Sequence, residues 1–207
     1  MSLLIERLDR LLKRPRGPGP LPAFSKLHVL KAIDLVGRMG PLSRASLSRE
    51  LGIGEGAVRT LLKKLVSADL VRTSRSGCVL TEEGMALWTE LNARLAKRSP
   101  IARSAISLGA HGFAILVRGG AKKVRLGIEQ RDEAVRAGAK GALVLIAEEG
   151  RLRMPGVSDD IRADYPDLFE EVAKSLEPEE GDAIVIAYAD DPLVAEYGAL
   201  AAALSLL

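Results

Sequence analysis

Cationic and polar side chains recur within residues 55–68 at positions that share one face of a helix. Once the apolar positions are assigned to a core, the remaining face consists of Glu55, Gly56, Arg59, Thr60, Lys63 and Lys64. An arginine can form two parallel hydrogen bonds with a guanine edge, whereas lysine and threonine contact phosphates and bases less selectively. This face therefore predicts binding to the bases and phosphates of DNA.

The preceding residues predict the elements that would position this face. Residues 44–51 form a short predicted helix, Gly52 supplies a tight turn, and Ile53 fills the space between the two helices. The apolar residues expected to face inward are Leu42, Leu47, Leu51, Val58, Leu61 or Leu62, Leu65 and Val66.

A two-stranded ribbon is predicted next, from residues 70–73 and 78–80, with a tip at residues 74–77 that can reach a phosphate or the minor groove. A helix should follow from Glu82 to about residue 97, because Thr81 can cap it and acidic residues occupy its first turn. Its predicted apolar face is Met85, Trp88, Leu91 and Leu95. The residues predicted to contact DNA are Arg44, Arg59, Thr60, Lys63, Lys64, Arg72 and Arg75.

The spacing of these residues resembles that of archaeal and bacterial winged-helix transcriptional regulators over about residues 25–98. The matching segments are Leu47-Ser48, Leu51-Gly52-Ile53-Gly54, Val58, Leu62, Leu65, Asp69-Leu70-Val71 and Leu80-Thr81-Glu82-Glu83-Gly84. Gly54 departs from the usual serine cap, and Asp69 from the usual glycine, although aspartate tolerates a left-handed conformation.

This resemblance implies a winged helix-turn-helix, double-stranded DNA as partner, and a homodimer that binds two half-sites. Winged helices also serve as protein-interaction modules, but the basic helix face favours DNA. The predicted leading helix and the Met85–Leu95 face are candidate dimer surfaces, unless each only covers the core of its own domain. The whole chain resembles archaeal predicted regulators that carry a C-terminal domain of unassigned function.

Charge is distributed unevenly along the 207 residues. Residues 1–100 hold 18 Lys and Arg against 9 Asp and Glu, a net +9, whereas the remainder holds 12 against 18, a net −6. A basic half suits a polyanionic partner. Asn and Gln occur once each while charged residues make up 28%, a composition typical of heat-adapted proteins.

The sequence predicts an α+β protein of three parts: an N-terminal helix with a Pro/Gly linker (1–22), a winged helix-turn-helix domain (23–99) and a C-terminal α/β sandwich (100–207). In the last part, strands are predicted at 113–118, 142–147, 151–154 and 183–189, and helices at 128–137, 165–176 and 192–207. This β-α-β-β-α-β-α order fits a ferredoxin-like sandwich with one added helix. Its expected role is either to sense a small molecule or to hold the dimer together.

Two loops of the C-terminal part could bind a ligand. Arg118, Gly119, Gly120, Lys122 and Lys123 follow a predicted strand, so backbone N–H groups and cations could surround a small anionic effector, although a flexible basic turn explains them equally. Asp190 and Asp191 follow another strand and could bind a cation or an amine, but capping of the next helix by Asp191 is favoured.

An enzyme is the alternative class of function. It would act on a phosphorylated metabolite near Arg118 and Asp190, with the winged helix as an interaction module. His28, His111 and the single cysteine, Cys78, form no nucleophile–base pair or metal-ligand spacing, so no catalytic residue, metal or cofactor is predicted. Without a predicted disulfide, signal peptide or membrane span, the protein is expected in the cytoplasm.

Overall fold

A computed structural model describes residues 23–102 and 106–207; the predicted leading helix and linker of residues 1–22 lie outside these ranges. The chain divides into two compact units, the first ending at Leu91 and the second beginning at Asn92. Within the described ranges, no helix combines the length and apolar character needed to cross a membrane.

The first unit contains four helices and a two-stranded antiparallel ribbon in the described residues. They are α1 (Lys26–Met39), α2 (Arg44–Leu51), α3 (Glu55–Ser67), β1 (Val71–Ser74), β2 (Gly77–Leu80) and α4 (Glu82–Arg94). Leu47, Leu51, Val58 and Leu61 are completely buried, and together with the neighbouring apolar side chains they join the helices into one core. This order, with a ribbon after the second helix of a helix-turn-helix, is that of a winged helix.

Local hydrogen bonds determine the angle between α2 and α3. The Ser43 side chain caps α2 by accepting a hydrogen bond from the Ser46 N–H at 3.0 Å. Gly52 ends α2 with a left-handed φ of 66°, which a glycine adopts without strain. The Ser48 hydroxyl then donates to the Ile53 carbonyl at 2.6 Å and closes the turn.

The start of α4 contacts the residues that follow α3, Asp69 and Leu70, through a hydrogen bond and close packing. The Thr81 hydroxyl donates to the Asp69 carbonyl at 2.5 Å and accepts from the Gly84 N–H at 3.0 Å. Gly84 lies so close to Leu70 that an added Cβ would come within 2.0 Å of the Leu70 carbonyl oxygen. Asp69 has φ of 53°, the left-handed conformation expected where the resembling family has glycine.

The apolar face predicted for α4 is only partly correct. Leu91 is buried and Trp88 is half-buried, its Nε1 donating to Asp34 at 3.3 Å, but Met85 is 45% exposed and Leu87 takes the inward position. Gly37 of α1 permits this packing, because a Cβ there would lie 2.6 Å from the Trp88 ring.

The second unit is a five-stranded sheet with helices on both faces. Its elements are β3 (Leu95–Ile101), β4 (His111–Val117), a 3-10 turn (Ala121–Lys123), α5 (Ile128–Arg136), β5 (Gly141–Glu148), β6 (Arg151–Arg153), α6 (Ile161–Asp164), α7 (Pro166–Leu176), β7 (Ala183–Ala189) and α8 (Pro192–Leu204). The α+β class is confirmed, and so is the predicted order of elements from β4 onward, apart from the 3-10 turn and the short helix α6, which the sequence analysis did not predict.

The strand order differs from the ferredoxin-like expectation. The sheet runs β3-β4-β7-β5-β6 and all its pairs are antiparallel. A ferredoxin-like sheet would place the first and third strands of the repeat, β4 and β6, at its centre. Here the last strand, β7, is central, and all seven of its residues are buried because helices cover both of its faces.

Alternate residues of the strands face two helical layers. One layer, α6 and α7, contributes Ile161, Leu168, Val172 and Leu176 to a core shared with the sheet. On the other face α5 and α8 pack together and onto the strands. Gly198 lets α8 approach closely, since a Cβ there would come within 2.7 Å of Ala139 and 3.1 Å of Ala187.

The boundary between the units lies earlier than the predicted position at 99/100. The helix predicted to continue to about residue 97 ends at Arg94, and residues 95–101 form β3 instead. β3 pairs with β4 from Leu95–Val117 to Ile101–Gly112, so tertiary pairing outweighs the local helical pattern.

Two glycines that differ in their surroundings test this packing. Gly84→Ala should lower the free energy of unfolding of the first unit by about 1–3 kcal/mol, because its methyl group would meet the rigid Leu70 carbonyl. Gly56→Ala, where a Cβ would meet open space, should raise it by about 0.4–1 kcal/mol. Urea unfolding followed by fluorescence of the single tryptophan, Trp88, measures both. Equal effects of the two substitutions would contradict this packing.

Candidate nucleic-acid interface

A concave groove lies between α3 and the ribbon. It is lined by side chains from the start of α2, from one face of α3 and from the tip of the ribbon, namely Leu42, Ser43, Arg44, Arg59, Leu62, Lys63, Val66, Ser67, Thr73, Ser74, Arg75, Ser76, Gly77 and Cys78. Its apolar part is formed by Leu42, Leu62, Val66 and Cys78, and its cationic side chains come from all three segments. The groove therefore has an apolar lining with positively charged side chains around it.

Backbone contacts hold the ribbon against the start of α2. The Leu42 N–H donates to the Cys78 carbonyl at 3.1 Å, and the Cys78 N–H donates to the Leu42 carbonyl at 2.9 Å. A Cβ on Gly77 would come within 2.7 Å of the Leu42 carbonyl oxygen, so glycine is required for this approach. The two sides of the groove are thus at a fixed separation.

Cys78 belongs to this structural contact. Its Sγ donates to the Leu42 carbonyl at 3.1 Å, and burial raises the pKa of the thiol. A buried thiol that stays protonated is a poor nucleophile.

The ribbon ends in a tight two-residue turn. Ser74 pairs with Gly77, which leaves Arg75 and Ser76 at the tip. The Ser74 hydroxyl donates to the Gly77 carbonyl at 3.2 Å and accepts from the Ser76 N–H at 3.3 Å. Arg75 is exposed at this tip and projects from an ordered turn.

Four of the seven predicted DNA contacts meet in the groove: Arg44, Arg59, Lys63 and Arg75. The other three do not line it. Thr60 is exposed and its hydroxyl donates to the Gly56 carbonyl at 3.1 Å, Lys64 is half-buried, and Arg72 is exposed on β1.

Val66 was predicted to be buried, and this prediction is wrong. Its side chain is 44% exposed and lines the groove. Arg59, Lys63 and Val66 follow i, i+4, i+7 spacing, which places all three on one face of the helix. The spacing of Val66 from Arg59 and Lys63 was the signal in the sequence that places it on the groove face.

The groove cations differ from several other arginines of the chain in their partners. Arg38, Arg118, Arg131 and Arg153 each form an ion pair with a carboxylate. Over residues 23–102 and 106–207, no carboxylate lies within ion-pair distance of the groove's exposed cations, which are Arg44, Arg59, Lys63 and Arg75. Like charges gathered without counter-charges attract an anion.

The predicted anion site at Arg118 is occupied by the protein itself. Arg118 Nη1 donates to Asp182 Oδ2 at 2.5 Å, and the Gly119 N–H donates to Asp182 Oδ1 at 3.1 Å. The Glu179 N–H also donates to Asp182, at 2.9 Å, and Asp182 is buried, with only 2% of its surface exposed. These donors do not form an open site, since an internal carboxylate takes the place of the expected ligand.

Gly120 and Lys123 of that loop also form structural contacts. The Gly120 N–H donates to the Val117 carbonyl at 3.2 Å, and Lys123 Nζ donates to the Leu207 carbonyl at 2.6 Å. Lys122 is exposed. The sequence pattern of cations and glycines therefore describes a tightly bonded turn.

Asp190 and Asp191 have structural partners too. The Asp191 side chain caps α8 by accepting from the N–H groups of Leu193 and Val194 at 2.8 and 3.1 Å, as favoured from the sequence. Lys140 lies 2.7 Å from Asp190, and its hydrogen bond holds the pKa of that carboxyl below its ordinary value.

The two candidate ligand loops cannot form one site. Val117 pairs with Ala183 and His111 pairs with Ala189, so the segments after β4 and β7 emerge at opposite ends of the sheet. Six residues of antiparallel strand separate those ends by about 20 Å. Arg118 and Asp190, which the alternative enzyme hypothesis placed near one metabolite, therefore do not lie together at one site. No group of three or more potential metal-binding side chains occurs in the described part of the chain.

Comparison with solved structures relates most of the chain to another protein. The structure of the hypothetical protein PH0730 from Pyrococcus horikoshii OT3 is similar, with 35% sequence identity, a TM-score of 0.69 and coverage of 88% of this chain and 92% of that chain. The chain belongs to the PH0730 family. No curated protein sequence matches it.

Two domain families match separate parts of this PH0730 family member. The PH0730-like N-terminal domain matches residues 29–86, and a domain of unknown function, DUF4443, matches residues 108–206. The first range contains every groove cation and Gly84, and the second contains the loop of Arg118 and its partner Asp182.

The internal role of Asp182 can be tested by removing its carboxylate. Asp182→Ala should lower the free energy of unfolding of the second unit by about 2–4 kcal/mol, because two backbone N–H groups and Arg118 lose a buried acceptor. Asp190→Ala removes an exposed carboxylate and should have a much smaller effect, because solvent screens its pairing with Lys140. Scanning calorimetry measures both variants. A stable Asp182→Ala protein that gains affinity for phosphate would instead indicate a ligand site.

Proposed function

We propose that this PH0730-family protein is a DNA-binding transcriptional regulator that acts as a homodimer. In this proposal α3 enters the major groove, and the ribbon contacts the adjacent backbone. Arg59 and Lys63 contact bases or phosphates, while Arg44 and Arg75 bind phosphates on either side of the DNA major groove.

The convergence in one groove of four cations that have no carboxylate partner among residues 23–102 and 106–207 carries the proposal. Each cation comes from an exposed position, and they are contributed by α2, α3 and the ribbon, so that they can follow a phosphate backbone past the helix. DNA supplies the many closely spaced negative charges that such an arrangement requires. The net charge of +9 over residues 1–100 adds long-range attraction.

The proposed role of the second unit is dimerisation. A small-anion sensor would need accessible donors, but those of Arg118 and Gly119 are bonded to Asp182. Its net charge of −6 over residues 101–207 also disfavours direct contact with DNA. A dimer would present two copies of α3 to half-sites about one helical turn apart.

Removal of two groove cations tests the DNA-binding face. For the double variant Arg59→Ala with Lys63→Ala, we expect weaker binding to a random-sequence duplex and a salt dependence of the binding constant that is shallower by about one to two in log–log slope. Fluorescence anisotropy of a labelled duplex at several salt concentrations measures the slope. The two residues are exposed, so the fold should be retained.

A matched control removes two cations from the second unit. Arg125→Ala with Lys174→Ala has the same change in net charge, and both residues are exposed. This control should keep the wild-type slope. If both double variants lost affinity equally, binding would depend on net charge alone; if neither lost affinity, the groove would not be the DNA-binding surface.

A further inference from the structure

One face of α5 is exposed and carries a chemically symmetric set of side chains. Ile128, Arg131, Asp132 and Val135 follow i, i+3, i+4, i+7 spacing and so form one stripe along the helix. Ile128 is 46% exposed and Val135 47%, and the side chains of Arg131 and Asp132 are 51% and 43% exposed. The opposite face of α5 is buried through Gln130 and Ala134.

The order of chemical types in this stripe is apolar, cationic, anionic, apolar. If a second copy of α5 lies antiparallel across it, with the two-fold axis between Arg131 and Asp132, Ile128 faces Val135 and Arg131 faces Asp132. Both ends then pair apolar with apolar, and the centre pairs opposite charges twice. Such self-complementarity is what a two-fold symmetric interface requires.

Arg131 and Asp132, the charged pair at the centre, contact each other but still have exposed surface that could meet a second partner. Arg131 Nη2 lies 2.8 Å from Asp132 Oδ1 of the same chain, yet about half of each side chain remains accessible. Across the two-fold axis each group would gain a second partner of opposite charge, which selects the antiparallel alignment.

Two further apolar side chains extend the surface beyond the N-terminal end of α5. Leu126 is 59% exposed and Val157 is 64% exposed. Leu126 lies beside the residue that precedes Val157, because a Cβ on Gly156 would lie 3.4 Å from Leu126 Cδ2. The stripe from Ile128 to Val135 is only about 10 Å long, so a stable interface needs these additional residues to contact the C-terminal end of the partner helix.

We propose that the α5 stripe, with Leu126 and Val157, is the surface on which a second copy of this chain binds. The inference rests on the homodimer of the proposed function and assigns that dimer to the second unit. It places the contact on α5, whereas sequence analysis suggested the leading helix or the face of α4.

Charge exchange at the centre of the stripe tests the alignment. Arg131→Asp and Asp132→Arg should each weaken dimerisation at least about tenfold, because each puts like charges together twice. The double variant Arg131→Asp with Asp132→Arg should restore the wild-type dissociation constant. Sedimentation equilibrium of the full chain, without DNA, measures these constants, and circular dichroism checks that each variant is folded.

Glu170→Arg is the matched control, since it changes the charge by the same amount as Asp132→Arg at an exposed position of α7, on the other face of the sheet. It should leave dimerisation unchanged.

A monomeric wild type would overturn both the homodimer and this surface. Single variants that dimerise normally, or a double variant that does not recover, would overturn the surface alone. Loss of DNA binding in the groove variants leaves it standing.

Discussion

Two reciprocal backbone hydrogen bonds between Leu42 and Cys78 determine the shape of the candidate DNA-binding surface. They join the residue before the capped start of α2 to the second strand of the ribbon. Because α1 and α3 also pack against the ribbon, these bonds add a direct connection between the start of α2 and the ribbon, close to the cations of both segments. The close approach depends on Gly77, because any side chain there would strike the Leu42 carbonyl.

The two units use their charged side chains differently. In the second unit, several cations form ion pairs with carboxylates of the same unit: Arg118 with Asp182, Lys97 with Glu177 and Lys140 with Asp190. In the first unit, the groove cations have no such partner within the described residues. An internal counter-charge stabilises a turn, whereas an unsatisfied cluster attracts an external polyanion. Similar local sequences of glycine and cations can therefore have opposite roles.

The stripe on α5 illustrates a third use of charge. Arg131 and Asp132 contact each other and remain half-exposed between two apolar residues. Four residues form only a small surface, but their order is chemically self-complementary when the helix direction is reversed, as a two-fold dimer requires. If the dimer forms there, the acidic second unit holds two basic units together without competing for the DNA itself.

Residue types and spacing were sufficient to predict the helices of the winged helix, its ribbon, and the element order of the second unit from β4 onward. These features depend on periodicity and caps, which are local: Asp69 in a left-handed conformation, Thr81 capping α4 and Asp191 capping α8 all follow from neighbouring residues. Arg44, Arg59, Lys63 and Arg75 were among the seven residues predicted to contact DNA, but the sequence did not indicate that these four would line one groove.

Only the tertiary structure decided what depends on contacts distant in sequence. Residues 95–101 became a strand because β4 offered an edge, and β7 occupies the centre of the sheet, which no local pattern specifies. The partner of Arg118 lies 64 residues away in Asp182, so the sequence indicated an anion site without revealing that the protein provides the anion. The sequence by itself determined which groups could bind phosphate; the fold determined which of them are left available, because that depends on where the carboxylates lie in space.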